Sequence, residues 1–148
     1  MLIKNIKMKT KPTCDTYPDG TKEWYLNGKL HREDGPAIEY ANGSKAWWLN
    51  GKLHREDGPA IEDANGDKAW YLNDKCHRED GPAVEYANGD KEWFLNGMLH
   101  RESGPAIEYT DGTKEWRLNG KEYTKQIYYK TLYHRKKITK EELFTNLL

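Results

Sequence analysis

The chain has 148 residues, of which 36% are apolar, 32% charged and 12% aromatic, and its mean hydropathy is −1.08. Such a composition excludes a thick hydrophobic core, while the six tryptophans and ten tyrosines exclude a disordered chain. Formal net charge is zero, made up of +3 over residues 1–16, −7 over 17–120 and +4 over 121–148; an acidic centre argues against a groove that tracks nucleic acid.

Residues 1–16 read as a basic arm and a first strand. MLIKNIKMK has no apolar stretch of signal-peptide type, and no run approaches the roughly 18 apolar residues of a membrane span. A cytoplasmic, intracellular protein is therefore expected. Cys14 and Cys76 fit neither a disulfide framework nor a zinc site and read as reduced thiols.

From Tyr17 the chain repeats every 23 residues. Trp24, Trp47, Trp70, Trp93 and Trp116 keep this period, as do His31, His54, His77 and His100, and the Gly-Pro pairs opening at Gly35, Gly58, Gly81 and Gly104. The units are 17–39, 40–62, 63–85, 86–108 and a partial 109–121, so residues 17–121 form one repeat region. Within a unit, KEWYL-NG-KLHR holds two short apolar runs around Asn27-Gly28, the strongest short signal for a type I′ hairpin. That turn places Leu26 opposite Lys29, Tyr25 opposite Leu30, Trp24 opposite His31 and Glu23 opposite Arg32. A second reversal at Ala41-Asn42-Gly43-Ser44 returns the chain, and Asp34-Gly35-Pro36 between them reads as a kink or bulge. Strand alternation then puts Trp24, Leu26, His31, Ile38 and Tyr40 on one face and Glu23, Tyr25, Leu30, Arg32 and Glu39 on the other. Unit three departs from the pattern at Asp63, Asp74 and Cys76.

After Lys121 the pattern changes. TKQIYYKTLYHRKK and TKEELFTNLL read as helices, the second with Thr139 and Glu142 as a capping box, and Ile127, Tyr128, Leu132 and Tyr133 are expected to cover the last hairpin. The predicted fold is an all-β repeat: an elongated antiparallel meander of stacked β-hairpins in a single-layer twisted sheet, with a short C-terminal α-helical cap over residues 122–148.

The motif W-x-x-N-G-K-x-H-R-E-D-G-P-A-x-E-Y-x-N-G-x-K resembles the 23-residue MORN repeat over roughly Tyr17 to Lys121. Its Trp-to-Asn spacing is one residue longer, and Arg32 stands where that repeat has glycine. The HREDGPA form resembles repeats of tailed-phage and large-DNA-virus proteins. The resemblance implies elongated sheets used as scaffolds and dimer-forming modules, with phospholipid contact in some, and for a viral protein the blocking of a host defence factor.

No motif of phosphate-binding, dinucleotide or zinc-protease type is present, and Ser44 and Ser103 fall in turns, so neither catalysis nor a cofactor is expected. Histidines of neighbouring units lie about 10 Å apart and cannot share a metal; they read as structural, stacked on tryptophan. A second aromatic on the opposite face suits a protein interface, which makes Tyr25, Arg32, Trp48, Arg55, Tyr71, Arg78, Phe94 and Arg101 the candidate binding residues. By this division Trp47→Ala lowers stability, whereas Trp48→Ala spares the fold and weakens binding. The expected function is a non-enzymatic scaffold that binds a protein partner, with a second copy of the chain as a further partner. The alternatives are sequestration of a nucleotide or small signalling molecule between Trp and Arg, and contact with a phospholipid surface.

Overall fold

A computed structural model describes residues 11–148. The basic arm expected over 1–16 therefore lies mostly outside the described residues, and its strand is β1 (Thr13–Thr16). The repeats build β2 (Lys22–Leu26), β3 (Lys29–Leu30), β4 (Ile38–Glu39), β5 (Lys45–Ala46), β6 (Trp48–Leu49), β7 (Lys52–Leu53), β8 (Ile61–Glu62) and β9 (Lys68–Ala69). The same cycle continues through β10 (Tyr71–Leu72), β11 (Lys75–Cys76), β12 (Val84–Glu85), β13 (Lys91–Glu92), β14 (Phe94–Leu95), β15 (Met98–Leu99) and β16 (Ile107–Glu108). It closes with β17 (Lys114–Leu118), β18 (Lys121–Tyr123) and two helices, α1 (Lys125–His134) and α2 (Lys140–Leu147).

Both reversals are set by local chemistry. Asn27 and Gly28 have φ of 52° and 77°, the two left-handed residues of a type I′ turn, and Tyr25 and Leu26 pair with Leu30 and Lys29 as the sequence predicts. In the second reversal the Gly43 N–H donates to Tyr40 O at 2.9 Å and the Tyr40 N–H to Ser44 O at 2.9 Å, with Gly43 at φ 91°. This is a three-residue loop whose left-handed third position suits glycine.

Each long strand changes partner at its tryptophan. The Trp47 N–H donates to Ala60 O at 2.8 Å, while its carbonyl accepts the His54 N–H at 3.0 Å. The residues between, Arg55 to Pro59, leave the ladder as a loop, because proline has no N–H to contribute and cannot continue the pairing. Below the tryptophans the strands join a twelve-stranded antiparallel meander, and above them the two-stranded hairpins β6–β7, β10–β11 and β14–β15 stand in a row. The Gly51 and Gly97 N–H groups donate to Leu30 O and Cys76 O of the preceding unit, each at 2.8 Å.

Part of the predicted assignment of faces is reversed. Ile38 is the partner of Glu23 and Glu39 of Lys22, so Ile38 shares a face with Glu23, Tyr25 and Leu30, and Glu39 shares one with Trp24. Arg32 lies over the Trp24 ring and so belongs with Trp24, not opposite Glu23. One face thus carries the row Lys22, Glu39, Lys45, Glu62, Lys68, Glu85, Lys91, Glu108 and Lys114, alternating in sign at every step. The other carries Ile38, Ala46, Ile61, Ala69, Val84 and Ile107, with Glu23, Glu92 and Glu115 in the remaining places.

The apolar face packs on itself. Leu53 of the hairpin row meets Ile38, Ala46 and Ala60, with Leu30, Trp48, Ile61 and Tyr71 against them, and the loop alanines Ala37, Ala60, Ala83 and Ala106 are fully buried. A second core lies at the C-terminal end, where Leu118 receives Tyr128, Tyr129 and Leu132 of α1, with Leu143 and Leu147 of α2 outside them. Thr124 caps α1, and Thr139 with Glu142 forms the predicted capping box of α2. Ile127 and Tyr133, expected to face the hairpin, are exposed; the face that docks is 128, 129 and 132.

Candidate interaction surface

The HREDGPA loop is a side-chain clamp. The Arg55 guanidinium carbon lies 4.0 Å from the centre of the Trp47 ring. Its Nε donates to Asp57 at 3.0 Å, and its Nη1 donates to Pro59 O at 3.1 Å and Glu62 at 2.9 Å. Behind it, a Cβ on Gly58 would stand 2.9 Å from Arg55 Cζ, so glycine is needed for the guanidinium to lie flat between backbone and indole. The same set recurs around Arg32 on Trp24 and Arg78 on Trp70. Around Arg101 on Trp93, Ser103 takes the aspartate's place. In the first three units the arginine's hydrogen bond holds Asp34, Asp57 and Asp80 below the usual carboxylate range.

Among the described residues no histidine ring stacks on a tryptophan; the repeat histidines bind neighbouring units together. His54 Nδ1 accepts the Asn73 N–H at 3.2 Å, and His77 and His100 accept from Asn96 and Asn119 at 3.1 and 3.0 Å. An accepting Nδ1 leaves the proton on Nε2, which faces Glu56, Glu79 and Glu102. Ser44, Asp67 and Asp90 do similar work at the other reversal, accepting the N–H of Ala64, Ala87 and Thr110 at 2.9, 2.7 and 2.7 Å. Asp74 keeps the type I′ conformation at φ 65° and its carboxylate accepts the Leu53 N–H at 2.8 Å. The departures in unit three at Asp74 and Cys76 are therefore accommodated in the stack, one by hydrogen bonding and the other by burial. Cys76 is buried where other units carry leucine, and that burial pushes its thiol up to about 12.

The predicted binding residues fall in two places. Tyr25, Trp48, Tyr71 and Phe94 lie on the apolar face and are half-buried, because the hairpin row folds that face over itself; Trp48 and Tyr71 belong to the first core. They are not the exposed aromatics that alternation alone suggests. Trp48→Ala is accordingly expected to remove core packing, so Trp48, read from alternation as exposed, is a packing residue. Arg32, Arg55, Arg78 and Arg101 stand on the opposite face, also half-buried, each engaged by its own tryptophan.

The residues that remain available on that second face are different ones. Glu33, Glu56 and Glu79 have side chains 81%, 86% and 82% exposed, and with the neighbouring aspartates they give each loop an acidic rim. Between successive loops run grooves. One, of about 720 Å³, lies between the Arg32–Gly35 loop and Trp47, Leu49 and His54; the next, of about 670 Å³, lies between Arg55–Pro59 and Trp70, Leu72 and His77. The leucine floor was the signal open to sequence reasoning: Leu49 and Leu72 sit two residues after each tryptophan, on its face of the strand. Among the described residues no cluster of three or more metal-ligating side chains occurs, and no helix is long and apolar enough to cross a membrane.

Fold and surface together define an open antiparallel hairpin-repeat sheet with a helical cap at one end and a periodic, acid-rimmed grooved face. No protein-family model matches the chain, and no curated protein matches it.

Proposed function

We propose that this protein is a non-enzymatic repeat scaffold whose grooved face binds a protein partner. The observation that supports this reading is the repetition of one half-open groove at steps of about 10 Å, floored by leucine and rimmed by exposed glutamates. Such a surface suits a partner that offers basic and apolar side chains at matching intervals, and its acidity opposes nucleic acid and anionic lipid. The likeness of the HREDGPA units to repeats of phage and large-DNA-virus proteins makes a host defence factor the first class of target to test. The sequestering alternative is disfavoured, because each arginine already lies against its own tryptophan at 3.7–4.1 Å and leaves no slot for a base between them.

The test is native mass spectrometry of the tagged protein purified gently from the cells in which it acts, beside the Glu33→Lys, Glu56→Lys, Glu79→Lys variant. A protein of fixed stoichiometry that co-purifies with the parent and is lost from the folded variant supports the reading. A partner retained by the variant places binding elsewhere, and a bound mass of a few hundred daltons in place of a protein favours sequestration.

A further inference from the structure

The helical cap occupies the last of the periodic grooves, and the way it does so describes an occupant for the open ones. At the cap, the Arg101–Gly104 loop and Leu118 correspond by two periods of the repeat to Arg55–Gly58 with Leu72 and by three to Arg32–Gly35 with Leu49. Tyr128 of α1 enters there fully buried. Its hydroxyl meets Arg101 O and Gly104 O, the latter at 2.9 Å, and accepts the Gly104 N–H at 3.3 Å. Leu132, one helical turn on, is fully buried against Leu118, which is only 2% exposed. Lys137 Nζ reaches Glu102 at 3.2 Å. In the open grooves Leu49 and Leu72 are only half-buried, Gly35 and Gly58 have no hydrogen-bond partner among the described residues, and Glu33 and Glu56 stand where Glu102 meets its lysine.

We infer that the grooves over Leu49 and Leu72 each take an amphipathic helix of the protein partner that carries tyrosine and leucine four residues apart, with a basic residue beyond them, as α1 does over Leu118. This deepens the scaffold reading and rests on it. The tyrosine supplies what the loop lacks, an acceptor for the glycine N–H and one O–H placed between the two carbonyls, on a side chain with little conformational entropy to lose. The leucine covers the floor, and the i, i+4 spacing places both on one helical face. A basic residue near the helix C-terminus meets the acidic rim.

The test uses the full chain and a labelled synthetic peptide of residues 124–138, with a staple joining positions 126 and 130, both exposed on α1; stapling is needed because a free helix of this length is marginal in water. Fluorescence anisotropy is expected to show saturable binding of up to two equivalents. Replacing the peptide's Tyr128 by Phe should weaken binding about tenfold, from the hydroxyl's hydrogen bonds, and Leu132→Ala in the peptide should weaken it by a similar factor. In the protein, Leu72→Ser is expected to remove one equivalent, with circular dichroism checking the fold. Because the peptide variants leave the protein untouched, the result does not depend on how well a mutant folds. Absence of saturable binding up to about 1 mM, weaker than nearly all specific protein contacts, overturns the inference. So does binding insensitive to both peptide substitutions, which is charge attraction alone. A chain that is dimeric by native mass spectrometry, and becomes monomeric on adding peptide, assigns the grooves to a second copy's α1 and also overturns it. The glutamate-to-lysine experiment reads the scaffold function itself, so failure of the helix assignment with a partner still lost from that variant leaves the wider reading standing.

Discussion

Arg55 shows why a string so rich in charge recurs intact. A guanidinium on an exposed strand contributes little, but here it is held flat between Trp47 and Gly58 and donates to one aspartate, one glutamate and one backbone carbonyl. Arg55→Lys keeps the charge and loses the planar fork and the stacking. It is expected to destabilise the protein by about 1–2 kcal/mol, measured by urea unfolding at low salt. An unchanged midpoint would show that the clamp is ornamental. Glu92 makes the opposite case, since it fills the apolar row between Val84 and Ile107 where units two and three carry alanine. Burial raises its carboxyl above the usual value, with the Tyr86 hydroxyl pulling the other way. A raised folded-state value means that this group's favourable contribution is present at acid pH and is lost as pH rises through that value, above the ordinary glutamate pKa of about 4.3. Glu92→Ala is therefore expected to raise the melting temperature at pH 7 and to flatten its dependence on pH in mild acid. The arginine-bound aspartates act in the other direction and in a lower window. Their pairing is complete above about 3.9 and is lost as pH falls through their depressed values.

At the scale of the element, the hairpins were legible and the loop between them was not. Asn-Gly at the turns and the Thr139–Glu142 box act within a few residues of themselves, and the 23-residue period is visible by inspection, so the sequence alone places them. The loop of five residues at Arg55–Pro59 acts over distance, because it folds Arg55 back over Trp47 and delivers Ile61 to Ala46 of another strand. A strand alternates with period two, and His31 and Ala37, on either side of the five loop residues, both sit at Trp24, so Ile38 and Glu39 keep the uninterrupted alternation and not the flip assumed at the kink. Extending the hairpin pairing past His31 put Arg32 across from Glu23, and a single-layer sheet left Tyr25, Trp48, Tyr71 and Phe94 facing solvent. Nothing local to Trp48 reveals that the hairpin row leans over Ile38 and Ala46 and buries it. The cap was legible as helices, but its contact depended on a hydrogen-bonding loop from another unit, 24 residues upstream at Gly104. Tyr128→Phe isolates that contact: the ring still fills its place, while the Arg101 and Gly104 carbonyls lose the one O–H they share and the Gly104 N–H loses its acceptor. The expected cost is about 1–2 kcal/mol, with earlier loss of α1 than of the sheet when helix and strand signals are followed separately during heating. Burial pushes the Tyr128 phenol up to about 12, so the donor is intact at all ordinary pH.

At the scale of the molecule, stability is distributed by unit. Side-chain hydrogen bonds between repeats span 19 to 21 residues, as in Asn73 to His54, Ala64 to Ser44 and Leu53 to Asp74, and each unit touches the next through the same few groups. Stability in such a stack is close to a sum of unit and neighbour terms, with the ends treated separately. Removing unit three, residues 63–85, joins Glu62 to Tyr86 and brings β13 beside β8 in the place of β9. The sheet keeps its alternating Lys and Glu row, His54 meets Asn96 in the place of Asn73, and the type I′ turn there has glycine instead of Asp74. The shortened chain is expected to fold as a monomer with a modestly lower melting temperature, with about a sixth of the chain gone and every remaining unit still sandwiched. Truncation after Tyr123 removes nearly the same number of residues but uncovers Leu118, Trp116 and the free edge of β18. An exposed strand edge beside uncovered apolar side chains pairs with other chains, so this variant is expected to self-associate. Light scattering coupled to size-exclusion chromatography compares the two directly. If the internal deletion aggregates and the truncation stays monomeric, the stack is not built of interchangeable neighbours and the helices are not what closes its end.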